Sequence, residues 1–276
     1  KITTRKGTTM KKNRTRAHHL AASFVLLLLW ATPAPAASLN AETAINNAGR
    51  QRMLSQRIVK AYCQVGLDLQ IESSKRDLQE SVTLFENQLA ELKQYAPTAE
   101  IKQALERVAT TWGPFKSIAT APVTRDGAKK LMGIDDELLF VSDKVVLLLQ
   151  DYANAPSARL VNVSGRQRML SQRIAKFYML KSWGFESATV TTGLAQAKNE
   201  FHGALIELET ATENTPEITQ DLSMARSQWR VLEHFIDREK EPMPLFMVQT
   251  SEKVLRNADA LTTKYEALLA RRTAQR

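Results

Sequence analysis

The sequence predicts an all-α protein of two tandem antiparallel four-helix bundles packed as a parallel pseudo-dimer. Three observations predict it. The segment Gly49-Arg-Gln-Arg-Met-Leu-Ser-Gln-Arg-Ile58 recurs unchanged as Gly165 to Ile174, so the chain holds two copies of one module. Apolar residues recur at helical rather than alternating spacing. With 10 Gly and 9 Pro in 276 residues, turn-forming residues are too few for a β architecture of this length.

The repeat extends beyond the identical stretch. Asn46/Asn162, Lys60/Lys176 and Tyr62/Tyr178 keep the same offset, as do Phe85/Phe201, Leu89/Leu205, Glu91/Glu207 and Leu92/Leu208. After a shift of one residue, Ile101, Gln103, Leu105 and Trp112 match Ile218, Gln220, Leu222 and Trp229.

In order, the first copy reads as helices over 39–71, 73–95, 98–119 and 125–153, and the second as helices over 157–184, 188–213, 216–238 and 244–273. The breaks are placed by polar clusters, Gly and Pro: Pro97, Pro114, Pro122, Pro156, Pro216, Pro242 and Pro244 are all expected in or beside a connection or a helix start. Short connections make successive helices antiparallel neighbours. Four such helices return the chain to its starting end, where Ala153-Asn-Ala-Pro156 begins the second copy, so the two copies are expected side by side and parallel. A single chain then imitates a homodimer and is expected to be monomeric.

Residues 1–36 are set apart. They hold seven Lys and Arg and no acid, which leaves 31 basic against 29 acidic residues in the remainder, so the formal net charge of +9 is largely local. A general basic field for nucleic acid is not expected. From Met10, the expected initiator, a basic stretch precedes the apolar run Leu20 to Trp30 and the small Ala34-x-Ala36 pattern. The run is short of the roughly 20 residues needed to span a bilayer, and the pattern reads as a cleaved signal peptide, with an uncleaved amino-terminal anchor as the alternative. The expected organisation is upstream and signal residues 1–36, copy 1 over 37–154 and copy 2 over 155–276, in the periplasm.

On the first helix, Asn47, Gln51, Leu54, Ile58, Ala61 and Val65 form a stripe suited to the interior of their own bundle. The opposite stripe, Ile45, Gly49, Arg52, Gln56, Val59 and Cys63, is apolar or small apart from Arg52 and Gln56. A helix apolar on two sides is buried on both, and its expected partner is the first helix of the other copy. Arg52 and Arg168 then approach each other across the axis with little acid nearby along the helix. Two unit charges about 6 Å apart repel by roughly 3 kcal/mol at an effective dielectric near 20, and an oxyanion between them reverses the sign. Guanidinium groups suit a small planar oxyanion. Gly49 and Gly165 provide close approach, and Ser55/Ser171 and Gln56/Gln172 are candidate additional donors. The competing reading pairs each Arg with an acid from another helix.

Other residues carry less. Cys63, the single cysteine, has Met179 as its counterpart and reads as a core filler, Trp112 and Trp229 read as anchors of the third helix, and His202 and His234 have no repeat counterpart. There is no Glu-x-x-His pair, Cys-x-x-Cys-His motif or Gly-rich phosphate loop. Neither an enzyme, nor a cofactor, nor a metal site is expected.

The stretch Asn46-x-Ala-Gly49-x-x-Arg52-Met53-x-Ser55-x-Arg57, and its second version from Asn162 to Arg173, resembles the nitrate/nitrite-sensing periplasmic domain of the NarX and NarQ sensor kinases and the related PilJ-type domain of type IV pilus chemoreceptors. The resemblance implies a four-helix bundle with nitrate or nitrite at a twofold interface between first helices, held by Arg52 with Gly49 and by Arg168 with Gly165. Those families continue into a cytoplasmic signalling domain, whereas this chain closes on a polar helix. It is therefore expected to act through a membrane-bound sensor kinase, chemoreceptor or pilus component, either as an oxyanion sensor or as an interaction module without a small ligand.

Overall fold

In the computed structural model, residues 39–154, 156–237 and 242–273 are described, and the expected signal segment lies outside them. They form α1 (Ala41–Gly66), α2 (Ile71–Tyr95), α3 (Ala99–Ala119), α4 (Arg125–Ala153), α5 (Pro156–Ser182), α6 (Ala188–Glu209), α7 (Pro216–Ile236) and α8 (Pro244–Thr273), with no strand among the described residues. Side-chain caps begin five of the helices. Asn40, Thr98, Thr124, Ser187 and Thr215 each accept a hydrogen bond from a backbone N–H three residues on, satisfying a donor that the helix itself leaves free.

Each copy closes a ring of neighbours, α1–α2–α3–α4 and α5–α6–α7–α8, and the most extensive helix pairing of all is α1 against α5. The two run parallel. Near their starts Arg52 reaches Asn162 and Arg168 reaches Asn46, while at their far ends Gly66 lies against Trp183. The packing repeats in detail. Gln51 and Gln167 donate to the carbonyls of Phe85 and Phe201, and those phenyl rings stack on Trp112 and Trp229 at 3.9 and 4.5 Å. The Tyr62 hydroxyl accepts from Thr124 N–H and that of Tyr178 from Met243 N–H, so each tyrosine pins the connection into the fourth helix of its copy.

Three expectations are corrected. α1 stops at Gly66 rather than 71, because the chain turns back with Leu69 N–H bonded to the Gln64 carbonyl and Asp68 left-handed at φ 55°. The repeat-equivalent turn has Phe185 N–H on the Leu180 carbonyl and Gly184 at φ 78°. Gly takes that conformation without strain, and Asp is one of the side chains that tolerate it, so in the first copy the left-handed position itself carries Asp68 in place of glycine. α6 ends at Glu209 rather than 213, and Asn214 donates to the Leu208 carbonyl beyond the end. Pro114 lies inside α3, not at a break.

Candidate functional site

The α1/α5 seam places the two candidate arginines together. Arg52 and Arg168 are among the most buried side chains of the protein, at 1% and 0% exposure. A Cβ built on Gly49 would lie 3.5 Å from an Nη2 of each guanidinium, which puts those two nitrogens no more than twice that distance apart. At Gly165 the corresponding distances are 3.2 Å to Arg168 and 3.7 Å to Arg52. The glycines therefore sit beside the guanidinium heads and leave them room. Their role is space for two charges rather than backbone-to-backbone contact.

The counter-charge comes from elsewhere in the fold. Arg52 Nη1 pairs with Asp143 of α4 at 2.5 Å, and Arg168 Nη1 with Asp259 of α8 at 2.7 Å. These aspartates occupy the same position in the two copies, so each Arg is held by the fourth helix of its own bundle. This corrects the expectation of a region poor in acid, which holds along α1 and α5 but not across them. The Nη2 groups point to the other copy: Arg52 donates to the Asn162 side chain at 2.9 Å and carbonyl at 3.3 Å, and Arg168 to the Asn46 carbonyl at 3.3 Å. Arg50 adds a second cation on Asp259, whereas its counterpart Arg166 pairs with Glu200.

Burial dominates the electrostatics here. Desolvation pushes Arg168 down to about 10 against the pull of Asp259, with Arg50 and Arg52 adding to the fall. Arg52 is lowered by the same cause, opposed by Asp143. Both Nε–H groups are buried without a hydrogen-bond partner among the described residues. Such groups are rare in folded proteins because leaving one unmade costs about 1–3 kcal/mol.

The remaining candidates are directed elsewhere. Ser55 and Ser171 donate to the Arg52 and Arg168 backbone carbonyls, one turn back on their own helices. Gln56 donates to Ser55 Oγ and to Asp135, and Gln172 to Ser171 Oγ and the Ser251 carbonyl. The structure thus brings together Gly49, Arg52, Gly165 and Arg168, and leaves the Ser and Gln donors in the layer below.

That layer continues into charges the sequence reading had not assigned. Lys176 of α5 is buried against Asp135 of α4, and Lys60 of α1 is buried against Glu252 of α8. Arg57 also bonds Glu252, and Arg173 pairs with Asp136. In all four pairs a first helix meets the fourth helix of the other copy. Asn46 and Asn162 do the same, donating to Glu266 and Gln150. The seam is consequently a stack of polar layers, in which the Arg52 and Arg168 ion pairs stay within a copy and the lysine, Arg57, Arg173 and asparagine pairs cross between copies. The identity of Lys60 with Lys176, and of Asp143 with Asp259, at the repeat offset was the available signal.

Two carboxylates here have a resolved acid-side shift. Burial raises Glu252, but Lys60 and Arg57 outweigh it and hold the carboxyl down to about 2 from its ordinary 4.5. Burial also raises Asp259, and Arg168 with Arg50 brings it below its ordinary value. A lowered folded pKa means stability that is fully present above the unfolded value and lost as pH falls through the folded one. Thermal unfolding followed by circular dichroism should show the midpoint falling from about pH 4.5 towards 2, and Glu252→Gln should start lower and fall less over that interval.

Among the described residues no group of His, Cys, Asp and Glu is arranged to hold a metal ion. Chemically the arrangement is a pair of enclosed guanidinium groups, each neutralised by an aspartate of the fourth helix of its own copy. Compared with known proteins, a family model, PilJ, described as the N-terminal domain of type IV pili methyl-accepting chemotaxis transducers, matches residues 36–132 and 153–269. Searches of curated proteins and of solved structures returned no match.

Proposed function

The chain belongs to the PilJ family, with one match in each copy, and from that premise we propose that it is a periplasmic sensory and interaction module that contacts a chemoreceptor, pilus or sensor-kinase component. The observation that carries this reading is the family match over both halves, joined at a seam of crossing polar pairs. An interface of this kind has discrete pairings rather than a continuum, so a partner that prefers one pairing shifts the packing of the two bundles. No helix among the described residues is long and apolar enough to cross a membrane. The test is cross-linking of the full chain in the cells that produce it, followed by identification of the captured proteins. Recovery of a chemoreceptor, pilus or sensor-kinase component supports the reading, and recovery of none of these overturns it.

A second reading is favoured by one specific observation: two buried guanidinium groups converge beside Gly49 and Gly165 with both Nε–H groups unpartnered. In this reading a small oxyanion, nitrate or nitrite, binds between α1 and α5 at Arg52 and Arg168. Isothermal titration of nitrate into the full chain should give about one site per chain, abolished in the Arg52→Ala, Arg168→Ala double variant while partner cross-linking persists. Absence of saturable binding at millimolar nitrate removes this reading and leaves the first.

A further inference from the structure

At the end of the bundles where α1 and α5 finish, copy 1 carries a cleft of about 790 Å³. Its apolar surface comes from Leu78 and Val82 of α2, Ala119 at the end of α3, and Val123. One wall belongs to the other copy: Trp183, from the turn after α5. That indole fits because residue 66 is glycine, since a Cβ there would lie 2.2 Å from the ring. Arg125, in the first turn of α4, grips the same turn. It donates to the carbonyls of Trp183 and Gly184, and its guanidinium stands 4.7 Å from the Phe185 ring centroid.

The rim is biased towards positive charge. Of the charged residues that line it, Lys75 and Arg125 are cationic and Asp68 alone is acidic. Arg125 has no carboxylate partner among the described residues, and Lys75 has exposed Glu72 at 3.6 Å. The second copy shows what the same place looks like with polar chemistry in it. There the counterpart of Val82 is Lys198, whose ammonium bonds both carboxylate oxygens of Asp237 at 2.7 and 2.8 Å, and the counterpart of Gly66 is Ser182. An ion pair thus crosses the position that is apolar in copy 1. Duplication supplied two such ends, and the one in copy 1 combines an apolar floor, an aromatic wall and a cationic rim.

We propose that this cleft binds a small organic anion with an apolar, preferably aromatic, body. The body lies on Val82 and Leu78 against the Trp183 ring, and the carboxylate lies between Lys75 and Arg125. Stacking on an indole and burial of an apolar body supply affinity, and the two cations set the sign of charge accepted. Because Trp183 belongs to copy 2 and the floor to copy 1, an occupant bridges the two copies. The site is separate from the arginine layer and does not depend on an anion binding there.

The test is isothermal titration of phenylacetate into the full chain, with acetate and 2-phenylethylammonium as comparisons. Saturable binding of one phenylacetate per chain, at least tenfold tighter than either comparison, is expected. Lys75→Glu, an exposed change, should weaken it at least tenfold, and Val82→Lys, which installs the copy 2 residue, should abolish it. Absence of saturable phenylacetate binding overturns the proposal. So does equal binding of all three probes, or an affinity unchanged by Lys75→Glu.

Discussion

Asp135→Ala should cost about 3–5 kcal/mol of stability, because it leaves the Lys176 ammonium buried without its counter-charge. Both partners are almost inaccessible, at 1% and 2% exposure. Burial raises the Asp135 carboxyl and lowers the Lys176 ammonium, each against the pull of the other, so the pair is already expensive to hold in its ionised form. Asp135 also accepts a hydrogen bond from Gln56, so its removal takes away one of the two that the Gln56 amide donates. Chemical denaturation of Asp135→Ala measures the loss. The double variant Asp135→Ala, Lys176→Met should recover most of it, since replacing both charges of a buried pair by apolar groups is often neutral. A double variant as unstable as the single one would show that the pair itself, rather than the orphaned charge, holds the copies together. The counterpart of Asp135 is Ser251, which receives Gln172 through its backbone carbonyl instead. The charged layer is therefore asymmetric, and the expected loss is specific to α4.

Such a pair was beyond reach of the sequence, although much of the fold was legible. Ten residues of identity at a fixed offset announce duplication, and Gly, Pro and polar clusters mark the breaks beside which Thr98, Thr124, Ser187 and Thr215 cap free N–H groups. The two stripes of α1 also followed from helical geometry, with Gln51 turned to α2 and Arg52 to α5. Periodicity says which side of a helix is buried but not which residue of a distant helix meets it. Hence Arg52 and Arg168 were identifiable, while Asp143 and Asp259, 91 residues further on in each case, were not. They occupy equal positions in the two copies, and only the fold turns that equality into a contact. Ser55 and Gln56 misled for a related reason. A serine inside a helix can satisfy itself on the carbonyl of the preceding turn, and both Ser55 and Ser171 do so, which withdraws them from the arginine layer. Asp68 hid a helix end because the left-handed position that Gly184 fills in copy 2 is taken there by Asp.

Asp143→Asn with Asp259→Asn should turn the seam into one that requires an external anion. Each aspartate side chain is 43% exposed while its Arg is enclosed, so the carboxylates reach in from the edge of the seam. As carboxylates they are themselves planar oxyanions on guanidinium groups, the chemistry expected of nitrate. Asparagine keeps their size and an acceptor oxygen but removes two negative charges. Arg52 and Arg168 then face each other with a repulsion of roughly 3 kcal/mol at an effective dielectric near 20. The double variant should unfold at a lower temperature in nitrate-free, low-chloride buffer, and millimolar nitrate should raise its midpoint more than that of the unmodified chain. An anion present at 100 times its dissociation constant contributes about 2.7 kcal/mol, enough to offset most of the loss. Formate, another planar oxyanion, should act in the same direction, whereas neutral urea should not. If nitrate moves neither midpoint, the arginine layer is a structural ion-pair layer, Asp143 and Asp259 are its permanent occupants, and sensing is carried by partner contact alone.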